Sequence, residues 1–373
     1  MAKATKSSTV STLQMKPSDA TEAIRHCVRT KMPLYLWGPP GIGKSCLVKQ
    51  IADELGYDFV DIRLSQMDPT DLRGIPYPVT MDGGEQGMAW APPSALPRKK
   101  DAKCIVLLDE LNSAAPSIQA ASYQLVLDRK LGDYVLPEQC VVMAAGNRET
   151  DKGATFKMPT PLMNRFVHVE MRHDFDDWQN WALSRLIHRD VVGYLSFSKA
   201  DLFDFDPVSA SRGFPTPRTW EYVSRLLFDN PNLPEMVMMG LISGCVGDGV
   251  AVKFLEYRKN AAKLPRPADI LSGKVTSLET KEVSVCYSLT TGLCYELKEA
   301  NDKAEASGTK DSREEWIKMS DRFLGFMMKN FQPEMVILGA RTALANFQLP
   351  FDPTRMSSWG DFSARYEDLI LRN

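Results

Sequence analysis

Short apolar runs alternate with amphipathic stretches through the first half of the chain. Residues 45–55 and 116–127 repeat their apolar positions at helical spacing. The apolar runs around them are of strand length and cover residues 34–37, 59–64, 104–108, 140–145 and 166–171. Strands that alternate with helices are typical of a parallel sheet covered by helices on both faces. The pattern therefore predicts an α/β domain with a parallel five-stranded sheet over residues 20–175.

Two irregular stretches interrupt this alternation. Residues 74–97 carry a Met-Asp-Gly-Gly turn between extended flanks, and residues 129–139 are a shorter stretch of the same kind. Glycine-rich turns between extended segments are typical of β-hairpins. We therefore predict one hairpin insertion in each stretch.

Beyond about residue 175 the strand pattern fades, and helical periodicity continues to the end of the sequence. We predict a helical domain over residues 176–270 and a further helical region over residues 271–373. The polar stretch 296–316 predicts a solvated helix–loop–helix. Residues 1–19 show no periodic pattern and are predicted to be a flexible lead-in.

A stripe of methionine and aromatic residues lies in the C-terminal region. Its members recur at helical spacing and are Trp316, Met319, Phe323, Phe326 and Met327. Such a stripe forms either the core of a helical region or an exposed surface for a target protein. The core is the favoured interpretation, and the target-binding surface is the alternative.

The charge and apolar content favour neither a nucleic-acid partner nor a membrane. Lysine plus arginine number 45 and aspartate plus glutamate number 47, so the formal net charge is −2. A chain with this balance has no global field that attracts polyanions. The apolar runs are too short to span a bilayer, and the first residues lack a signal-peptide core. We therefore expect a cytoplasmic protein without a membrane segment.

The cysteines and histidines do not indicate a metal centre. The seven cysteines include no CxxC pair, and the four histidines show no HExxH spacing. Cys104 and Cys140 lie in apolar strand runs. In a cytoplasmic protein this pattern predicts buried, reduced thiols rather than disulfides or zinc ligands.

The most specific motif is GPPGIGKS, which runs from Gly38 to Ser45 between an apolar run and a helical pattern. This context is typical of a phosphate-binding loop, whose glycines turn backbone N–H groups toward phosphate oxygens. We predict that Lys44 binds the β- and γ-phosphates and that the Ser45 hydroxyl binds Mg²⁺. The predicted nucleotide-binding residues of this segment are Gly38, Pro39, Pro40, Gly41, Ile42, Gly43, Lys44, Ser45 and Cys46.

Two further apolar runs end in polar residues suited to ATP hydrolysis. CIVLLDE ends in Asp109 and Glu110, and CVVMAAGN ends in Asn147. Hydrolysis requires a carboxylate that holds the metal and a group that positions water. We predict that Asp109 holds Mg²⁺ through water and that Glu110 polarises the attacking water. Asn147 either contacts the γ-phosphate or that water, or is a turn residue.

The order of these motifs resembles the AAA+ ATPases, and more specifically their MoxR branch. MDPTDLRG resembles the segment after the second strand of MoxR proteins, and LLDELNSAAPSIQAASYQLVLDRKL resembles their DE-ending strand with the following helix. AAGNRETDKGATFKMPTPLMNRF resembles their stretch from the first sensor to the arginine finger. The resemblance covers residues 20–230. It implies an AAA+ P-loop core followed by an all-α lid.

The resemblance also implies roles for individual residues. Asn147 becomes the first sensor, and Arg165 becomes the arginine finger that enters the ATP site of a neighbouring subunit. Arg218, in FPTPRTW, becomes the second sensor, and Arg148 is a further candidate for an inter-subunit contact. A guanidinium supplied in trans stabilises charge on the transferred phosphoryl group. Asn164 departs from the family, which has an acidic residue before the finger, and the alternative for each arginine is a surface ion pair.

The two predicted hairpins occupy the places of insertions that often face the pore of such rings. Tyr77, Met88 and Trp90 would then be exposed side chains that grip a polypeptide. The alternative, with equal weight, is that these side chains pack the hairpin onto its own domain.

The function implied by the resemblance is that of a chaperone-like ring ATPase. The ring would contain about six subunits, with ATP and Mg²⁺ at each interface. It would remodel, mature or activate a partner complex together with a protein that contains a von Willebrand factor A domain. The sequence does not define the target or the role of residues 271–373.

Two other functions stay open at this point. A nucleic-acid motor, either a translocase or a restriction-type enzyme, would use basic residues, and residues 96–103 and 254–267 are the modest basic segments of the chain. A nucleotide-gated scaffold with negligible turnover is the other alternative, and Glu110 argues against it because a pure binder does not need this carboxylate.

Overall fold

The computed structural model describes residues 13–81, 83–151, 155–208, 212–278 and 282–371. The chain forms two compact units. The first comprises the described residues up to Asp174 with a short segment from Asp206, and the second comprises Phe175–Phe205 and the described residues from 212 onward. Each unit has hydrophobic clusters of its own.

The strands of the described residues all belong to the first unit. They are β1 (Gln14–Met15), β2 (Leu34–Trp37), β3 (Asp58–Arg63), β4 (Ile75–Thr80), β5 (Gln86–Ala91), β6 (Cys104–Asp109), β7 (Lys130–Leu131), β8 (Tyr134–Val135), β9 (Val141–Gly146) and β10 (Val167–Met171). Six of them form one parallel sheet in the order β1-β10-β2-β9-β6-β3. The other four form the antiparallel hairpins β4-β5 and β7-β8.

The sequences of β6 and β9 explain why the sheet is covered on both faces. β6 reads CIVLLD and β9 reads VVMAAG, and nearly all of these side chains are buried. A strand that is apolar on both faces requires cover on both faces, as the inner strands of an α/β sheet have. The five predicted strands are present, and the predicted α/β class is confirmed.

The sixth strand, β1, was not predicted. Gln14 and Met15 pair with Glu170 and Met171 of β10 at the edge of the sheet. Two residues are too few to show strand periodicity, and backbone pairing rather than an apolar pattern holds them. Residues 14–19 thus have regular structure, which corrects the predicted lead-in for this part, and residues 1–12 lie outside the described residues.

The described residues of the first unit form five α-helices. They are α1 (Pro17–Thr30), α2 (Lys44–Leu55), α3 (Pro69–Arg73), α4 (Pro116–Asp128) and α5 (Thr160–Met163). In α1 the buried residues are Ala20, Ile24, Cys27 and Val28, which is the spacing of one helix face. Gly56 ends α2 in the left-handed conformation, with φ of 69°.

The first hairpin, β4-β5, lies within the first predicted insertion. Tyr77 and Met88 are 46% and 58% exposed. Trp90 is half-buried. Its backbone N–H donates to Asp133 Oδ2 at 2.7 Å, the guanidinium of Arg73 lies 5.5 Å from its ring, and a Cβ on Gly132 would lie 3.0 Å from its side chain. Trp90 therefore packs the hairpin onto its own domain, whereas Tyr77 and Met88 present their side chains to solvent.

The second unit is helical throughout its described residues. Its helices are α6 (Phe175–Ser184), α7 (Arg189–Phe197), α8 (Pro217–Asp229), α9 (Glu235–Val246), α10 (Asp248–Ala261), α11 (Pro267–Leu271), α12 (Val283–Ser307), α13 (Lys310–Asn330), α14 (Pro333–Arg341) and α15 (Trp359–Leu371). Among the residues that the structure describes, no helix is both long and apolar enough to cross a bilayer.

Two hydrophobic clusters organise this unit. One spans residues 178–257 and centres on Tyr194, Trp220 and Phe254, whose ring centroids are 5.3 to 5.6 Å apart. The other spans residues 270–362. Contacts between aromatic rings at these distances stabilise a core beyond the burial of their area.

The methionine and aromatic stripe lies in the second of these clusters. Trp316, Phe323, Phe326 and Met327 are at most 5% exposed, and Met319 is half-buried. The predicted helix–loop–helix is formed by the end of α12, the turn at Gly308 and the beginning of α13. The stripe is therefore core, and it does not present a surface to a target.

Candidate nucleotide-binding site

The phosphate-binding loop lies between the end of β2 and the first turn of α2. Gly41 and Gly43 have φ values of 79° and 93°, which belong to the left-handed region that favours glycine. Gly38 is required for a different reason, because a Cβ there would lie 2.8 Å from the carbonyl oxygen of Met171. The loop conformation thus depends on glycine at each of these three positions.

The other predicted loop residues contribute shape rather than charge. Pro39 and Pro40 have no backbone N–H, so they cannot donate to a phosphate. Ile42 is buried, and a Cβ on Gly38 would lie 2.7 Å from its Cδ1 atom. Cys46 is exposed on α2.

Lys44 lies at the first position of α2 and folds over the loop. Its Nζ donates to the carbonyl oxygens of Gly38 at 2.7 Å and Pro39 at 3.0 Å, and to Asn147 Oδ1 at 3.1 Å. The ammonium group is thereby held at the loop, beside the end of β9. This is the position from which a lysine reaches the phosphates of a bound nucleotide.

Ser45 and Asp109 meet at the carboxyl edge of the sheet. The Ser45 hydroxyl donates to Asp109 Oδ2 at 2.7 Å, and the Glu110 N–H donates to Asp109 Oδ1 at 3.0 Å. A hydroxyl and a carboxylate oxygen are the hard ligands that Mg²⁺ takes alongside water and phosphate oxygens. The two residues therefore fit a magnesium ion that is held mainly by substrate and water.

Asp61 lies on the strand beside β6 and pairs with Arg63 at 3.7 Å. Its strand, β3, pairs with β6 so that Asp61 lies opposite Leu107 and Arg63 lies opposite Asp109. Burial raises the pKa of the Asp61 carboxyl, and the charge of Asp109 raises it further, while Arg63 opposes both effects.

Glu110 follows directly after β6 and has a left-handed backbone, with φ of 57°. Its Oε2 atom accepts a hydrogen bond from the Ser65 hydroxyl, which lies just after β3. The carboxylate predicted to polarise water is thus held toward the neighbouring strand. Ser65 is a site residue that the sequence motifs did not indicate, because the contact depends on β3 pairing with β6.

Replacing Ser65 with alanine is expected to raise basal ATP turnover about threefold, because Glu110 loses a partner that competes with water. Steady-state phosphate release at saturating ATP measures this effect. Ser18→Ala on α1 provides the control. Lower turnover in Ser65→Ala, with unchanged folding, would show that the hydrogen bond instead holds Glu110 in its working position.

The backbone of Asn147 is held by a hydrogen bond from a buried amide side chain. Asn112 Nδ2 donates to the Asn147 carbonyl oxygen at 2.7 Å, and Asn112 is 2% exposed. A Cβ on Gly146 would lie 2.2 Å from both Asn112 Oδ1 and the Tyr35 hydroxyl, so this position accepts only glycine. Asn112 could not be identified from the sequence, because a single polar residue shortly after Asp109 and Glu110 carries no motif of its own.

The predicted hydrolytic residues thus converge at one edge of the sheet. The loop follows β2, Asp109 ends β6 with Glu110 directly after it, and Asn147 follows β9. These three strands are neighbours in the sheet. The carboxyl ends of adjacent parallel strands are where α/β folds bind ligands. The structure brings together Lys44, Ser45, Asp109 and Asn147 by direct hydrogen bonds.

Arg165 lies at the opposite edge of the same sheet. It precedes β10, and Val167 pairs with Leu34 at the beginning of β2, whereas the loop follows the end of β2. At about 3.3 Å per residue, the length of β2 separates Arg165 from the loop of its own chain. Arg165 and Asn164 are exposed, and within the described residues the Arg165 side chain makes no ion pair.

The other two arginines differ from Arg165. Arg148 makes a bidentate contact with the buried Asp151, with its Nη2 at 2.8 Å from Oδ1, and its Nη1 lies 3.5 Å from Glu170. It is therefore held within its own chain, which disfavours an inter-subunit role. Arg218 belongs to the second unit, where it is exposed in the first turn of α8.

Comparisons with known proteins define the class of this site. Residues 34–172 match the family described as "ATPase family associated with various cellular activities (AAA)". This segment contains the loop, Asp109, Glu110, Asn147 and Arg165. Residues 34–172 are therefore similar to an AAA-family ATPase domain, and this match supports ATP hydrolysis as the chemistry of the site.

Curated relatives share this segment and extend far beyond it. Midasin of Giardia intestinalis is 31% identical over 184 residues, which are 46% of this chain and 4% of midasin. Lon protease of Leptospira interrogans is 26% identical over 174 residues, which are 46% of this chain and 18% of the protease. The chain thus spans less than a fifth of either relative.

Two solved structures are similar to this chain at low sequence identity. NtrX from Brucella abortus in complex with ATP is 12% identical, with a TM-score of 0.38, over 93% of this chain and 67% of that chain. The RuvB Holliday junction branch migration motor of Thermotoga maritima is 15% identical, with a TM-score of 0.34, over 84% of this chain and 86% of that chain.

Proposed function

We propose that this chain hydrolyses ATP at the interfaces of a homo-oligomeric ring, of about six subunits. The observation that carries this proposal is the position of Arg165. The nucleotide site lies at the carboxyl edge of the sheet, and this exposed arginine lies beyond the amino end of β10. A guanidinium that cannot serve its own site can serve the site of a neighbour in a head-to-tail ring.

Each residue of the site has a role in the proposed reaction. Lys44 binds the β- and γ-phosphates, and the N–H groups at the start of α2 contribute the positive end of the helix dipole. Ser45 and Asp109 would hold Mg²⁺, which would supply positive charge against the phosphates. Glu110 orients and polarises the attacking water, and Asn147 donates from its Nδ2 group to that water or to the γ-phosphate. Arg165 of the neighbour stabilises charge on the transferred phosphoryl group.

We further infer that the reaction drives remodelling or maturation of a partner protein complex, as in the MoxR branch. The second unit supports this inference, because its described residues form helices around two apolar clusters rather than a second catalytic centre. ATP binding would strengthen contacts between subunits and hydrolysis would weaken them. Arg218 would report the γ-phosphate as a second sensor, and a von Willebrand factor A domain protein would deliver the target.

The structure disfavours the nucleic-acid alternative at one of its two basic segments. Arg258 pairs with Asp190 at 2.9 Å, and Lys259 pairs with Glu235 at 2.5 Å. These two ion pairs leave only Lys263 and Arg266 of the segment 254–267 without a carboxylate partner among the described residues, which reduces the attraction of this segment for a phosphate backbone.

Assembly in the presence of ATP tests the proposed ring. Six copies of the 41.8-kDa chain have a mass of about 250 kDa. Mass photometry of Glu110→Gln is expected to show this species with ATP and smaller species with ADP. A monomer under both conditions would contradict the proposal.

The partner is tested with the same variant. Because Glu110→Gln holds ATP without hydrolysing it, a purified von Willebrand factor A domain protein from the same source is expected to co-elute with the ATP-bound ring. Equal retention in ATP and ADP, or none in either, would contradict the remodelling role.

A further inference from the structure

The side chain of His168 links β2, which leads into the phosphate-binding loop, to the turn that contains Arg165. Trp37, the last residue of β2, donates from Nε1 to His168 Nδ1 at 2.9 Å. On its other side, His168 Nε2 lies 2.7 Å from the carbonyl oxygen of Met163. Trp37 directly precedes Gly38, and Met163 ends α5 two residues before Arg165. The chain Trp37–His168–Met163 therefore spans from one functional segment to the other.

The chemistry of the partners fixes the protonation of His168. An indole N–H is only a donor, so Nδ1 of His168 must be the acceptor and carries no proton. A carbonyl oxygen is only an acceptor, so Nε2 carries the proton and donates it to Met163. The ring is thus neutral and in a single tautomer, which is the form that can bridge these two groups.

The Met163 carbonyl closes the turn in which Arg165 lies. It also accepts the Phe166 N–H at 3.2 Å, so residues 163–166 form a four-residue turn with Arg165 at the third position. The turn is anchored by Leu162 and Phe166, which are 0% and 7% exposed. His168 occupies the remaining acceptor site of the carbonyl on which the turn depends.

We propose that His168 is a positioning residue for Arg165 and that Trp37 selects the tautomer in which it acts. This inference rests on the proposed role of Arg165 at a neighbouring site. His168 is exposed, and besides its two hydrogen bonds its ring lies 5.9 to 6.4 Å from the rings of Tyr35, Trp37 and Phe166. These hydrogen bonds also connect the phosphate-binding loop of a subunit to its Arg165, which in the proposed ring serves the ATP site of the neighbouring subunit.

Two substitutions test the link without touching the nucleotide site. Trp37→Phe keeps an aromatic ring beside Tyr35, whose centroid lies 4.0 Å from that of Trp37, and removes the N–H together with one ring of the indole. His168→Ala removes both hydrogen bonds. Each variant is expected to lower turnover at saturating ATP about 3- to 10-fold, because the turn is held less firmly. ADP affinity should stay within about twofold of the wild type.

The decisive readout is a double-mutant cycle with Arg165→Ala. If His168 acts through Arg165, neither Trp37→Phe nor His168→Ala lowers turnover further in the Arg165→Ala background. His26→Ala, on the exposed face of α1, is the matched control and should behave as the wild type. Circular dichroism and urea unfolding establish that each variant is folded.

The outcomes separate the two proposals. Equal fold-losses in the wild-type and Arg165→Ala backgrounds would overturn the positioning role while leaving the arginine finger in place. Wild-type turnover of His168→Ala beside an impaired Arg165→Ala would do the same. Wild-type turnover of Arg165→Ala itself would overturn the proposed function, and the positioning role with it.

Discussion

Arg165→Ala is expected to lower ATP turnover by on the order of 10³, because a finger supplied in trans stabilises charge that appears only in the transition state. ADP affinity should change by less than about twofold, since Arg165 lies at the edge of the sheet opposite its own loop. Steady-state phosphate release at saturating ATP and isothermal titration with ADP measure the two quantities.

Arg29→Ala is the matched control, because Arg29 is an exposed arginine near the end of α1 and away from the loop. It should have wild-type turnover. If Arg165→Ala also turned over ATP at the wild-type rate, the interface site would be refuted. A large loss of ADP affinity would instead place Arg165 in its own nucleotide pocket.

Glu110→Gln is expected to lower turnover by on the order of 10³ while ATP remains bound. Glutamine has nearly the same shape and keeps an acceptor for the Ser65 hydroxyl, but it lacks the charge that polarises water. Single-turnover measurements with rapid quenching separate the loss of the chemical step from any change in ATP binding.

Glu138→Gln is the control for this substitution, since the side chain of Glu138 is 92% exposed. It should leave turnover unchanged. Rapid hydrolysis by Glu110→Gln would assign the water-positioning role to another group, and Asp61 on the neighbouring strand would be the first candidate.

The fold and the loop could be predicted because their determinants are local. Apolar runs such as that of β6 mark strands, and the glycines and Lys44 of the loop have a fixed spacing along the chain. Asp109 and Asn147 follow their strands directly, so strand order brings them to the same edge. These features require only the sequence and the rules of parallel sheets.

What could not be predicted depends on contacts between distant segments. Ser65 reaches Glu110 only because β3 pairs with β6. Trp37 and His168 are 131 residues apart in sequence, and neither belongs to a nucleotide-binding motif. β1 is held by backbone pairing, which leaves no apolar pattern to detect.

The role of Arg148 could not be predicted from the sequence either. Its place after Asn147 made it a candidate for an inter-subunit contact, but Asp151 and Glu170 hold it within the chain. An ion pair with a buried carboxylate cannot be deduced from spacing alone. Arg165 has no such partner among the described residues. Only the structure shows that one arginine is paired and the other is not.

Mixing two inactive variants tests the central claim most directly. A Glu110→Gln subunit lacks a working site but still offers Arg165, and an Arg165→Ala subunit has an intact site but offers no finger. In random rings with equal amounts of both, one site in four combines an intact Glu110 with a neighbour's Arg165, so mixing should restore about a quarter of wild-type turnover. A mixture as inactive as its two components would contradict the account.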